Sequence, residues 1–228
     1  MTGYKPTYRI MGDRALLVEL GDEISPSVNQ DVRGLFLHLG HHSLHGIIEI
    51  IPGYRSLLII YDPLQITLST LRKAIDDLHK TKETTHLPES KSVKIPIVYG
   101  GKYGPDLEWV AEFHEISTKE VIQLHTGSSY QVYMIGFIPG FPYMGELPET
   151  LNTPRKKTPR TSVPSGSVGI AQKQTGIYPA QSPGGWQIIG RTPLKLFDPV
   201  KSPPTLLEMG DEVTFFSIKE EEMTHWEA

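Results

Sequence analysis

Arginines at 155, 160 and 191 lie among Ser165, Gln174, Ser182, Gly184, Gly185 and Trp186 in the second half of the chain. A guanidinium presents a planar fork of donors that fits a carboxylate or phosphate through two parallel hydrogen bonds. Ser165, Gln174 and Ser182 add neutral hydrogen-bonding groups. Glycines at 136, 140, 166, 184 and 185 permit positive φ or close backbone approach, and their N–H groups could line a concavity for an anion. Tyr143, Tyr178 and Trp186 could wall a pocket. Together these residues describe a site that holds a small ligand carrying a carboxylate or phosphate. Each has a plainer alternative: an arginine in a surface ion pair, a glycine at a tight barrel corner, an aromatic ring in the core.

Catalytic chemistry is harder to assign. All nine histidines lie outside residues 126–224, and the chain has no cysteine. A Ser-His-Asp or Cys-His engine built from these blocks alone is therefore absent. Lys173, Glu146 and Tyr178 are the conceivable proton carriers, so the catalytic residues stay unassigned. Nucleotide motifs are missing too: Gly100-Gly101-Lys102 lacks the spacing of a phosphate-binding loop. His38, His41, His42 and His45 have helical spacing suited to metal ligands. Gly40 should break the helix within that group, and no cysteine or nearby carboxylate completes a site. A solvent-exposed helix end is the expected reading, with no metal.

Composition narrows the classes. The formal charge of −4 offers no basic face for nucleic acid or an anionic membrane. Without cysteines there are no disulfides and no thiolate chemistry. No apolar run approaches the ~20 residues of a membrane span. Met1–Met11 lacks the apolar stretch of a signal peptide, so a cytoplasmic protein is expected. Between Gly136 and Pro199, glycine and proline make up 19 of 64 residues. Branched aliphatic and aromatic residues are interleaved throughout, which argues for short strands and defined turns rather than disorder.

These residues must be positioned by two kinds of structure. Arg14–Leu20 predicts a strand, and Ser25-Pro26 marks a helix start. Val28, Val32, Leu35 and Leu39 share one face of that helix, which should stop near Gly40. Gly46–Ile51 and Arg55–Tyr61 predict a hairpin around Pro52-Gly53-Tyr54. Leu68, Leu71, Ile75 and Leu78 form the inner stripe of a second helix, and Val93–Val98 forms another strand. The order is βαββαβ, the ferredoxin-like arrangement. Lys80–Lys91, polar and charged, is the linker candidate, and Val93–Val98 fits either domain. Short helices follow at Asp106–Phe113 and after Ser117, where Glu120 completes a capping box. Strands are expected at Tyr130–Phe137 and Val213–Ile218, with an irregular tail over Lys219–Ala228.

Four ordered blocks carry a family resemblance: Gly136–Pro148 (GFIPGFPYMGELP), Pro154–Ser167, Gln174–Pro179 and Ser182–Pro199. Together with Gly46–Pro63 they resemble the allophanate hydrolase subunit 1 family, which includes 5-oxoprolinase subunits and an inhibitor of a sensor histidine kinase. The likeness covers nearly the whole chain. It departs at Glu146, where the family more usually has glycine. The resemblance implies an α+β protein with a ferredoxin-like domain over 1–88 and a cyclophilin-like β-barrel over 89–228. It also implies a hydrolase subunit, inactive alone, in a complex that opens 5-oxoproline to glutamate with ATP as cosubstrate. Partners implied are a subunit 2 type companion (PxpC- or KipA-like) and a LamB/YcsF-type subunit (PxpA-like). The alternative is a KipI-like protein that docks on a sensor histidine kinase and blocks its autophosphorylation.

Overall fold

The computed structural model describes residues 4–42, 44–80 and 89–226. The chain divides into two compact units, Met1–Glu89 and Ser90–Ala228. Most of the expected linker, 81–88, lies outside the described residues. Among the described residues no helix is long and apolar enough to cross a membrane.

In the first unit, β1 (Thr7–Ile10) and β2 (Ala15–Glu19) precede α1 (Pro26–His42). Then come β3 (Ile47–Pro52), β4 (Ser56–Tyr61) and α2 (Leu68–Lys80). The antiparallel sheet has the order β1-β2-β4-β3. Alternation in β4 sends Leu57, Ile59 and Tyr61 inward, as one buried sheet face requires. The stripes on α1 and α2 meet that need: Val28, Val32, Leu35, Leu39, Leu71 and Ile75 are all buried. Full burial of one such side chain contributes about 1.5–3 kcal/mol. Ser25 Oγ accepts from the Val28 N–H at 3.3 Å, a cap for α1.

Two expectations are corrected by the fold. The order is ββαββα, not βαββαβ: the extra strand is β1, and Val93–Val98 belongs to the second unit. Unlike β2, β1 is mostly exposed, so it carries little of the apolar alternation by which strands are read. Second, α1 runs through Gly40 to His42. One helical glycine costs only ~1 kcal/mol, less than the buried stripe returns.

The second unit is a closed barrel. Its strands are β5 (Ser92–Tyr99), β6 (Ser129–Ile135), β7 (Pro142–Gly145), β9 (Ser167–Ala171), β10 (Gln174–Ile177), β12 (Gln187–Arg191) and β13 (Glu212–Ser217). Around the barrel they run β10-β7-β6-β13-β5-β12-β9. β13 pairs parallel with β5 over six residues, and the other neighbours are antiparallel. All five residues of β9 are buried, so this wall is covered on both faces. Two helices, α3 (Leu107–Phe113) and α4 (Thr118–Thr126), pack beside β12 and β13. The expected capping box is present at Ser117 and Glu120. A separate two-stranded ribbon pairs β8 (Arg160–Val163) with β11 (Ser182–Gly184). The tail departs from the irregular segment expected, because Glu220–Trp226 forms a 3-10 helix. Lys102 and Tyr103 both bond Glu220 there.

Candidate functional site

Val163 of the ribbon packs in one buried cluster with Phe141, Ala171, Tyr178 and Trp186, and candidate residues surround one cavity there. This cavity measures about 230 Å³ and is walled by Phe137, Phe141, Tyr143, Tyr178 and Trp186. Arg155, Gly184 and Gly185 also line it. The rings meet edge to face: Phe141 lies 5.1 Å from Tyr178 and 5.6 Å from Trp186, at 84° and 85°. Such packing holds ring faces at fixed angles, so the hollow is preformed. Arg155 is exposed, with its guanidinium carbon 6.0 Å from the Trp186 ring centroid. Burial pushes the Tyr178 phenol up despite the Trp186 backbone N–H that favours its ionised form. Burial likewise raises Tyr143, against the nearby Arg155 charge. Both phenols are therefore neutral near pH 7.

Gly184 is required sterically. A Cβ there would lie 2.3 Å from the Tyr178 hydroxyl, so the backbone comes against the ring only because no side chain intervenes. Gly185 differs, since its added Cβ would meet Pro159 at an ordinary 3.6 Å. Phe137 has φ of +65° and is 61% exposed. That conformation costs a bulky residue energy, and strain of this kind concentrates at ligand sites.

The anchor of the site is Asp106, which sequence reasoning read only as the start of a helix. Its carboxylate is 5% exposed. Oδ1 accepts from Arg160 Nη2 at 2.7 Å and Lys156 Nζ at 3.1 Å, while Oδ2 accepts from the Ile188 N–H at 2.7 Å. Burial alone would raise this carboxyl, but Arg160, the Ile188 N–H and Lys156 outweigh it and hold it below the usual carboxylate value. Asp106 thus clamps the 156–160 segment to β12 and thereby sets Arg155 beside Trp186. Nothing in the local pattern marks it, because its partners stand 50, 54 and 82 residues away.

The structure brings together Arg155, Gly184, Gly185 and Trp186, and it places the other candidates elsewhere. Arg160 is committed to Asp106, although its Nη1 is buried without a partner. Ser165 Oγ donates to the Pro179 carbonyl at 2.8 Å and fastens a loop. Gln174 sits on β10 opposite Gly145 and Ala171. Ser182 is buried on β11, with its Oγ unpartnered. Arg191 lies over Tyr103, 5.6 Å from the ring centroid. Arg155 also edges a second, larger cavity on the side of α3.

Two histidines reach the barrel from outside the blocks. His125, fully buried on α4, lies 2.7 Å from the Tyr99 hydroxyl through Nδ1 and 2.9 Å from Thr175 Oγ1 through Nε2. Thr175 donates onward to the Gly169 carbonyl at 3.3 Å. This chain assigns the proton to Nε2, with Nδ1 accepting from Tyr99. The ring stacks on Phe215 at 4.5 Å, and burial lowers its pKa to about 3. It is a neutral core group with both nitrogens engaged. His114 bonds Thr153 at 2.9 Å and is likewise lowered by burial. The His42 side chain lies outside the described residues. Among those described, no group of three or more His, Asp or Glu could hold a metal.

Residues 6–207 match the family model for the carboxyltransferase domain, subdomain C and D. The B-type subunit of 5-oxoprolinase from Bacillus subtilis is 40% identical over 222 residues, covering 93% of this chain and 92% of that protein. Its Haemophilus influenzae counterpart is 46% identical over 169 residues, covering 74% and 78%. The crystal structure of TTHA0988 superposes with a TM-score of 0.80 at 33% identity. That match covers 91% of this chain but 40% of the other, which is much longer. The chain therefore belongs to the carboxyltransferase subdomain C and D family, in the allophanate hydrolase subunit 1 group that its sequence blocks resemble.

Proposed function

We propose that this chain is the B-type (PxpB-type) subunit of an ATP-dependent 5-oxoprolinase, acting in the cytoplasm with companion subunits of the PxpC and PxpA types. The observation that carries the reading is the aromatic cavity of about 230 Å³ bordered by one exposed arginine. 5-Oxoproline is a small, nearly flat lactam with one carboxylate. Its ring suits the faces of Trp186 and Tyr178, and its carboxylate suits the Arg155 fork. Relatives 40% to 46% identical, matching 74% to 93% of this chain, bear the name of this 5-oxoprolinase component.

Within the cavity, Arg155 would orient the substrate and the rings would exclude water. The neutral Tyr178 hydroxyl would donate a hydrogen bond. A lactam is a stable amide, and phosphorylation of its oxygen by ATP would make the carbonyl carbon a better electrophile. Among the described residues no carboxylate or imidazole lines the cavity, so the companions would supply the catalytic groups and the chain alone would be inactive. The kinase-inhibitor alternative is not favoured, since no feature of the cavity supports it.

The test is glutamate formation from 5-oxoproline and ATP, with this chain alone and with its companions. The complete mixture should be active and the single chain inactive. Arg155→Ala should raise KM for 5-oxoproline about tenfold or more, with kcat less affected. Absence of glutamate from the complete mixture would refute the proposal.

A further inference from the structure

Arg155 borders a second cavity of about 560 Å³, within the ~300–1,000 Å³ range of small-molecule sites. Its floor is made by Trp109 and Phe113, one turn apart on α3. Their rings stack at 5.2 Å and 20° and are 42% and 49% exposed. Leu107, Val110 and Ala111 on the same helix are buried, so the two rings belong to the face left uncovered. Arg155, Lys156 and Lys157 stand along the cavity, on the segment clamped by Asp106. Lys156 is held by Asp106, whereas among the described residues no ion pair engages Arg155 or Lys157. Gln187 also lines the cavity. It is 3% exposed, its Nε2 donates to the Pro154 carbonyl at 3.1 Å, and its Oε1 has no partner. The Nε2 bond fixes the amide orientation, so the unsatisfied atom is an acceptor.

An uncovered aromatic platform beside a row of cations points to one ligand chemistry. We infer that this cavity binds a nucleoside polyphosphate, with the base on the Trp109–Phe113 platform and the phosphates along Arg155 and Lys157. Stacking on aromatic faces is a strong, sequence-tolerant way to hold a base. Guanidinium and ammonium groups are the usual phosphate partners. The local cations offset the repulsion that the chain's net charge of −4 sets against an incoming anion. Arg155 lines both cavities, so a nucleotide in one would lie beside a small carboxylate in the other. Nucleotide binding at this cavity stands or falls apart from the hydrolase reading.

The experiment measures ATP, adenosine and inorganic tripolyphosphate binding by calorimetry, on the whole chain alone and with its companion subunits. ATP should bind more tightly than either fragment. Trp109→Ala removes an exposed ring, spares the buried core, and should weaken ATP about tenfold while leaving tripolyphosphate unchanged. Lys157→Ala should weaken ATP and tripolyphosphate alike by about threefold, with the loss shrinking as salt is raised. ATP affinity unchanged by Trp109→Ala, or no saturable ATP binding in either preparation, would overturn the inference. So would loss of subunit assembly in Trp109→Ala with ATP affinity intact, which would make the platform a protein interface. Glutamate formation is scored separately: a complex that makes glutamate but fails the binding test rejects only the nucleotide site.

Discussion

The two units solve positioning in different ways. In Met1–Glu89 most buried residues follow the helical and strand periods, with Glu19, Asn29 and Asp31 as buried polar exceptions. In Ser90–Ala228 the candidate site depends on one buried carboxylate that gathers Lys156, Arg160 and the Ile188 N–H onto a single point. Apolar packing degrades gradually when a methylene is lost. A buried charge network fails more abruptly, because removing one member strands the others without partners. The contrast predicts which unit is more sensitive to polar substitution and to acid.

Asp106→Ala should have the largest effect, about 4 kcal/mol of barrel-unit stability, since it leaves Arg160 and the Ile188 N–H unpaired. Denaturant melts give the total, and hydrogen exchange at the Ile188 amide should accelerate with it. Leu71→Ala in the first unit should cost about 3 kcal/mol through lost apolar burial and the cavity left behind, measurable at the α2 amides. A larger loss from Leu71→Ala than from Asp106→Ala would break the comparison.

Acid provides the next test. His125 stays neutral in the fold down to about pH 3, whereas the unfolded chain takes up its proton near pH 6.5. The unfolded state therefore binds more protons between those values, and stability falls as pH falls. The slope is about 1.4 kcal/mol per pH unit, or roughly 2 kcal/mol lost by pH 5. Asp106 behaves differently: its depressed pKa contributes stability above the ordinary carboxylate value, which is lost only as pH drops through the folded value. Melts from pH 7 to 4 should thus show decline well before carboxylates titrate. His125→Gln should flatten the slope between pH 6.5 and 4, even with lower stability at pH 7.

The smallest effects separate two neighbours. Gly184→Ala should cost about 1–3 kcal/mol, because its Cβ meets the Tyr178 hydroxyl at 2.3 Å. Gly185→Ala should cost under about 0.5 kcal/mol. Equal losses at both positions would mean that conformational freedom matters here, rather than close approach.

Legibility in the sequence followed the range of each interaction. The Ser117–Glu120 capping box and the Val28-to-Leu39 stripe involve residues within one or a few turns, so their spacing is itself the signal. Strand β1 escaped notice because only one edge of it is partnered and its side chains are mostly exposed. Arg155, Gly184, Gly185 and Trp186 were identifiable as ligand-type residues and do share a cavity. Ser165, Gln174 and Arg191 look equally suitable by type, yet the fold turns them to a carbonyl, a barrel strand and a tyrosine ring.

Residue types and local spacing alone determined the four α-helices and six of the thirteen strands (β2 to β6 and β13) among the described residues, the absence of thiol chemistry and the family blocks, because each depends on residue type or on short separations. Only tertiary structure decided that Val93–Val98 closes a barrel, that Asp106 anchors the 156–160 segment, and that Trp109 and Phe113 stay uncovered beside three cations. Those outcomes depend on contacts between residues tens of positions apart. Burial and partner choice at such distances are set by how the chain packs in three dimensions, which no repeat along a single segment encodes.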